Sequence, residues 1–134
     1  MPGPNSFDYA VVRVMPRVER GEFVNVGIIL ICRTKRYLDA RIELDEARLL
    51  ALFPGLDMAE LRQHLEVIPK ICAGTPDSGP IGQLSQQERF HWLVAPRSTV
   101  IQVSPPHSGF CLDPNHTLDH LLDTLVRLPR PPED

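Results

Sequence analysis

The sequence predicts an α+β fold, an antiparallel sheet of about four strands with helices mainly on one face. Three observations carry this. Val26-Gly27-Ile28-Ile29-Leu30-Ile31 is a run of β-forming residues, apolar on both faces. Leu38, Ala40, Ile42 and Leu44 alternate with Asp39, Arg41 and Glu43, the period of a strand with one wet face. Beyond residue 44 the pattern changes to apolar residues three and four apart, preceded by capping residues.

The first strand is expected over Asp8 to Pro16, where Tyr9, Val11 and Val14 favour extended backbone and Pro16 ends regular pairing. Val24 to Cys32 follows as a central strand covered from both sides. The basic turn Thr34-Lys35-Arg36 leads into a third strand over Tyr37 to Leu44, completing a meander. Asp45 is an expected N-cap for a short helix that stops at Pro54-Gly55. Asp57 with Glu60 resembles a capping box for a longer helix carrying Leu61, Leu65, Ile68 and Cys72, which Pro69 is expected to kink or split. Residues 74–82, rich in Gly, Pro, Asp and Ser, form the clear loop. Ser85 and Glu88 open a third helix through Phe90 and Trp92. A strand is expected over Ser98 to Ser104, ended by Pro105-Pro106. Asp113 and Pro114 start the last helix, with Leu118, Leu121, Leu122, Leu125 and Val126 as its apolar stripe. Residues 7–128 are expected to form a single domain, with 1–6 and 129–134 as flexible termini.

The 134 residues suffice for one hydrophobic core, and 43% apolar with 23% charged residues argues against wholesale disorder. No apolar run approaches the roughly 20 residues that a spanning helix needs, and residues 1–6 lack the features of a secretion signal. The expectation is therefore a cytoplasmic protein with no membrane contact. A formal net charge of −3 gives no global attraction to nucleic acid, and Lys35-Arg36 beside Tyr37 is too little surface to bind it. Cys32, Cys72 and Cys111 are far apart and each lies in or beside an apolar segment, which fits buried reduced thiols.

The polar residues that stand out fall into two groups. Arg13 shares a face with Tyr9, Val11 and Met15 on a strand that otherwise reads as buried. It requires either an internal carboxylate (Glu19, Glu22 or Glu43) or an anionic ligand. Arg17, Glu19, Arg20 and Glu22 crowd the turn that follows, and read either as a solvated hairpin or as part of a site. Asn25 begins the central strand where a β-branched residue is usual, and Gly27 suggests a bulge or a close approach by another backbone. The second group is His91 with Arg97, Ser98 and Thr99, which offer several donors for a phosphate or carboxylate, His91 reading either as a structural histidine, the commoner case, or as an acid or base. The candidate ligand-binding set is thus Arg13, Arg17, Glu19, Glu22, Asn25, His91, Arg97 and Ser98. His116 and His120 have chelating spacing but face away from the leucine stripe without a third ligand, so no metal and no cofactor are expected. No nucleophile elbow, phosphate-cradling glycine loop or metalloprotease motif is present.

Three phrases, residues 9–27 (YAVVRVMPRVERGEFVNVG), 40–50 (ARIELDEARLL) and 88–99 (ERFHWLVAPRST), resemble the bacterial family called domain of unknown function 3037. The resemblance runs from about Phe7 to Arg127. It carries no established catalytic residues. An association with neighbours similar to the HipA toxin kinase implies a protein partner of that kind. Two functions follow as expectations: a non-enzymatic binding or accessory module engaging a protein partner, or a small enzyme or ligand-binding protein acting on a phosphate-bearing metabolite or nucleotide.

Overall fold

A computed structural model describes residues 4–95 and 100–129. The strands are β1 (Asn5–Val14), β2 (Val24–Cys32), β3 (Tyr37–Ile42), β4 (Ile101–Val103) and β5 (His107–Cys111). The helices are α1 (Glu46–Leu52), α2 (Met58–Ala73), α3 (Gln86–Val94) and α4 (Pro114–Leu125). The sheet is wholly antiparallel in the order β3-β2-β1-β4, and β5 also pairs with β1. Each expected cap is made: Asp45, Asp57 and Asp113 accept from the backbone N–H groups of Arg48, Glu60 and Asn115. Ser85 Oγ accepts from Glu88 N at 3.2 Å and donates to that residue's carboxylate at 2.8 Å. These contacts satisfy donors that a helix start leaves open.

β4 and β5 lie end to end along one edge of β1, β4 against Val12–Val14 and β5 against Asn5–Tyr9. The fourth strand is thus split at Pro105-Pro106 instead of ending there. Ser104 makes the break tolerable. Its N–H donates to Val11 O at 2.9 Å, and its hydroxyl accepts from Val11 N at 2.8 Å, so the ladder continues beside prolines that have no N–H to offer.

A bulge divides the sheet's two faces. Val12 pairs with Gly27 and Arg13 with Asn25, leaving Val26 as the extra residue of β2. Val24 and Val26 join Ile29 and Ile31 in the core under α1, α2 and α3, with Leu49, Leu61, Leu65 and Phe90. Ile28, Leu30 and Cys32 point the other way, into a second core formed with Phe7, Val11, Leu118, Leu122 and Val126. The central strand is therefore covered on both sides, by three helices on one face and α4 on the other. A Cβ at Gly27 would lie 2.7 Å from Arg41 O and press on the end of Ile42, so this position admits no side chain.

Two features differ from what the sequence suggests. α2 runs unbroken through Pro69, held by its buried Leu61, Leu65, Ile68, Ile71 and Cys72. The stretch after it is built into two short 3-10 turns, Pro76–Ser78 and Ile81–Gln83. Thr75 O accepts from Ser78 Oγ and Gln83 Nε2, and Gly82 packs against Ser78. Arg89 closes the unit by donating to Ile71 O, Cys72 O and Leu84 O.

Candidate functional site

Arg13 and Asn25 are neighbours across β1 and β2, on the face that α4 covers. Asn25 Nδ2 donates to Leu125 O at 3.0 Å, tying β2 to the end of α4 and capping a carbonyl that the helix leaves open. Its Oδ1 is buried without a hydrogen-bond partner, and so is Arg13 Nε. The Arg13 guanidinium carbon sits 4.3 Å from the centroid of the Phe23 ring, a cation–π contact. None of the carboxylates considered for it serves. Glu22 pairs with Arg20, Glu43 pairs with Arg127, and Glu19 is exposed. Among the described residues Arg13 has no carboxylate partner.

The other members of the candidate set lie elsewhere. Arg17 and Glu22 line a cleft of about 620 Å³ together with Phe53, Gly55, Leu56 and Val100. The 3-10 turn Val18–Arg20, which lends Arg20 to the cleft, contains no buried residue and closes on Gly21 at φ +66°, a left-handed conformation natural to glycine. His91 is exposed on α3, whose buried residues Phe90 and Leu93 belong to the core opposite α4. Arg97 and Ser98 lie outside the described residues, as does Thr99.

The polar face of β3 is partly exposed and meets α4 and the residues after it along a seam. Arg41 reaches Asp119 at 2.8 Å and Asn115 at 2.7 Å, the Tyr37 hydroxyl lies 3.2 Å from Asn115 Oδ1, and Arg127 holds Glu43 through two hydrogen bonds of 2.9 Å. The bond from Arg127 holds the Glu43 carboxyl below its usual range. Burial, with Asp39 nearby, pushes the Tyr37 hydroxyl up to about 12. His116 and His120 are exposed on the outer side of α4, and no group of three or more metal-ligating side chains exists among the described residues.

A further concavity is one that the sequence does not advertise. A groove of about 680 Å³ runs between α2, α3 and β4, floored by Leu61, Ile68, Ile71, Leu93 and Val103. Val67 is 44% exposed at its lip and Trp92 is 36% exposed. Asp57 and Glu60 supply negative charge along one rim, beside His64. The signal was there in residue types: Val67 falls outside the buried stripe of α2, and Trp92 lies two positions from buried Phe90, off its face. Neither position can be told from ordinary helix surface until α2 and α3 are set side by side.

The model of a protein family described as a protein of unknown function, DUF3037, matches residues 9–126. The chain belongs to this family. The DUF3037 match runs from within β1 to just past the end of α4, so the Arg13–Asn25 pair, the groove and every core residue named above except Phe7 fall within it. No curated protein and no solved structure matches the chain.

Proposed function

We propose that this DUF3037 protein is a non-enzymatic binding module that engages a protein partner through the groove between α2, α3 and β4. The observation that carries the reading is the groove itself, an open, largely apolar concavity with large hydrophobic side chains at its lip. Exposed apolar patches of this kind commonly mark interaction sites. The occupant that fits is an amphipathic helix with an apolar face for the floor and a basic residue for Asp57 and Glu60. A kinase similar to the HipA toxin kinase is the first partner to test, and the cytoplasm is the proposed compartment. The three buried free thiols support that compartment.

Co-purification of the tagged chain with such a kinase, compared with Val67→Glu, tests the reading. The wild type is expected to retain the partner and the variant to lose it, with an unchanged far-ultraviolet circular dichroism spectrum. Trp92 is the single tryptophan, so its emission should shift when a basic amphipathic peptide from the partner is added. Repeated recovery of the chain alone, or equal retention by Val67→Glu, overturns the proposal.

A second reading, a small enzyme or ligand-binding protein for a phosphate-bearing metabolite or nucleotide, is supported by Arg13, a half-buried guanidinium with an orphaned Nε. It needs Arg97 and Ser98 to complete the site. Calorimetric titration with inorganic phosphate and nucleotides, wild type against Arg13→Gln, tests it. Equal heats for both proteins count against it.

A further inference from the structure

The two edges of the sheet are treated differently. On β3 the Ala40 N–H is covered by its neighbour, donating to Asp39 Oδ1 at 2.8 Å, which takes one outward donor of that edge away from an incoming strand. β5 has no such guard. It contains no proline, no lysine and no bulge, and its register against β1 is continuous from Cys111 to His107.

The direction of its free groups follows from the neighbouring ladder. Val11 and Met15 turn their backbone groups toward the β4 and β5 edge, bonding Ser104 and Val100. By antiparallel alternation Asn5, Phe7 and Tyr9 do the same, so their partners Cys111, Gly109 and His107 bond inward. Ser108 and Phe110 therefore direct their N–H and C=O groups outward, where no backbone partner meets them among the described residues. Phe110 is 76% exposed and Leu112 73%, the two most exposed large apolar side chains among the described residues.

We propose that the β5 edge pairs antiparallel with the β5 edge of a second copy of this chain. One two-fold register satisfies every outward group. With Gly109 of one copy facing Gly109 of the other, Ser108 of each exchanges both backbone hydrogen bonds with Phe110 of its mate. Gly109 suits the close, non-bonded position on the axis. It carries no side chain, and the Phe7 ring already fills the space where one would stand, 2.8 Å from that Cβ position. An isologous contact sets each residue near its own duplicate, so any charge on the strand would repel itself. The strand His107-Ser108-Gly109-Phe110-Cys111 carries no carboxylate, lysine or arginine. A second copy is thus complementary in hydrogen bonding, in charge and in the apolar area of Phe110 and Leu112. None of these residues lines the groove, so the pairing stands apart from the proposed partner site.

Sedimentation equilibrium of the full chain over a range of concentrations tests the pairing, combined with amide exchange at Ser108 and Phe110. The expected result is a reversible shift from 15.1 kDa to twice that mass, with protection of those two amides rising in parallel. Phe110→Lys, at an exposed position, should raise the dimer Kd about ten-fold or more while leaving the circular dichroism spectrum unchanged. A chain that stays monomeric at millimolar concentration overturns the proposal. So does a dimer that is indifferent to Phe110→Lys, or one that leaves both amides exchanging freely. Protection that appears only when a foreign extended peptide is added assigns the edge to another protein and overturns the second copy.

Discussion

Ser104 is the buried polar residue on which the split edge depends, at 1% exposure. Its hydroxyl takes the place of a main-chain carbonyl for Val11, and also donates to Pro105 O at 3.1 Å. Ser104→Ala leaves the Val11 N–H buried and unpaired, and should destabilise the fold by about 1–3 kcal/mol. Urea denaturation of the variant checks this, and faster exchange at the Val11 amide should accompany the loss. The role was not legible in the sequence. A serine before two prolines reads as the end of a strand, and only the register of β1 reveals which donor it serves. Arg13 was half legible: its oddness on a buried strand follows from alternation alone, whereas Phe23 as its neighbour depends on how the hairpin turn folds back. The Glu22 carboxylate, a candidate by proximity, is taken by Arg20 two residues away.

Among the elements, the helix starts were the most readable, because a cap is a contact between residues a few positions apart and its chemistry is local. The seam between β3 and α4 was not, since it joins Arg41 to Asp119 and Glu43 to Arg127 across most of the chain. Alternation showed that one face of β3 is polar without showing what faces it. This seam titrates. Arg127 lowers the Glu43 carboxyl below its ordinary value of 4.5. The sign follows: a depressed folded value gives stability that is present above about pH 4.5 and is lost as pH falls through the folded value. Glu43→Gln should therefore be less stable than the wild type at neutral pH, and the gap should close in acid. Because both side chains are well exposed, the gap is expected to be small and to shrink in high salt. Thermal melts of both proteins across pH 2–7 in low and high salt measure it.

At the scale of the whole molecule, three helices over one face and one over the other bury all three cysteines. Burial pushes the Cys72 thiol up to about 12 and raises Cys111 as well, with Cys32 nearby adding to the latter. A thiol at that value carries on the order of a thousand-fold less thiolate near neutral pH than an ordinary one. Alkylation of the native protein should accordingly be negligible at Cys72 and complete in denaturant, with labelling followed by mass spectrometry. Rapid native labelling of Cys72 would contradict the packing of α2 on β3. Among the described residues no helix is long and apolar enough to cross a membrane.

The extra residue at Val26 has a consequence for how this chain can change. Upstream of it the even-numbered residues of β2 face α1, α2 and α3, and downstream the odd-numbered ones do. β2 is thus read in two frames, with Val26 as the shift between them. Removing one residue from either half would send its aliphatic side chains to the wrong helices, as a frameshift garbles every later word. Loss of Val26 itself would instead remove the bulge and leave Asn25 opposite Arg13 and Gly27 opposite Val12, each on the face it now occupies. Single-residue changes in length should therefore be tolerated at the bulge alone, and elsewhere along this strand only in pairs, so the position of the extra residue is as much a part of the fold's message as the residues around it.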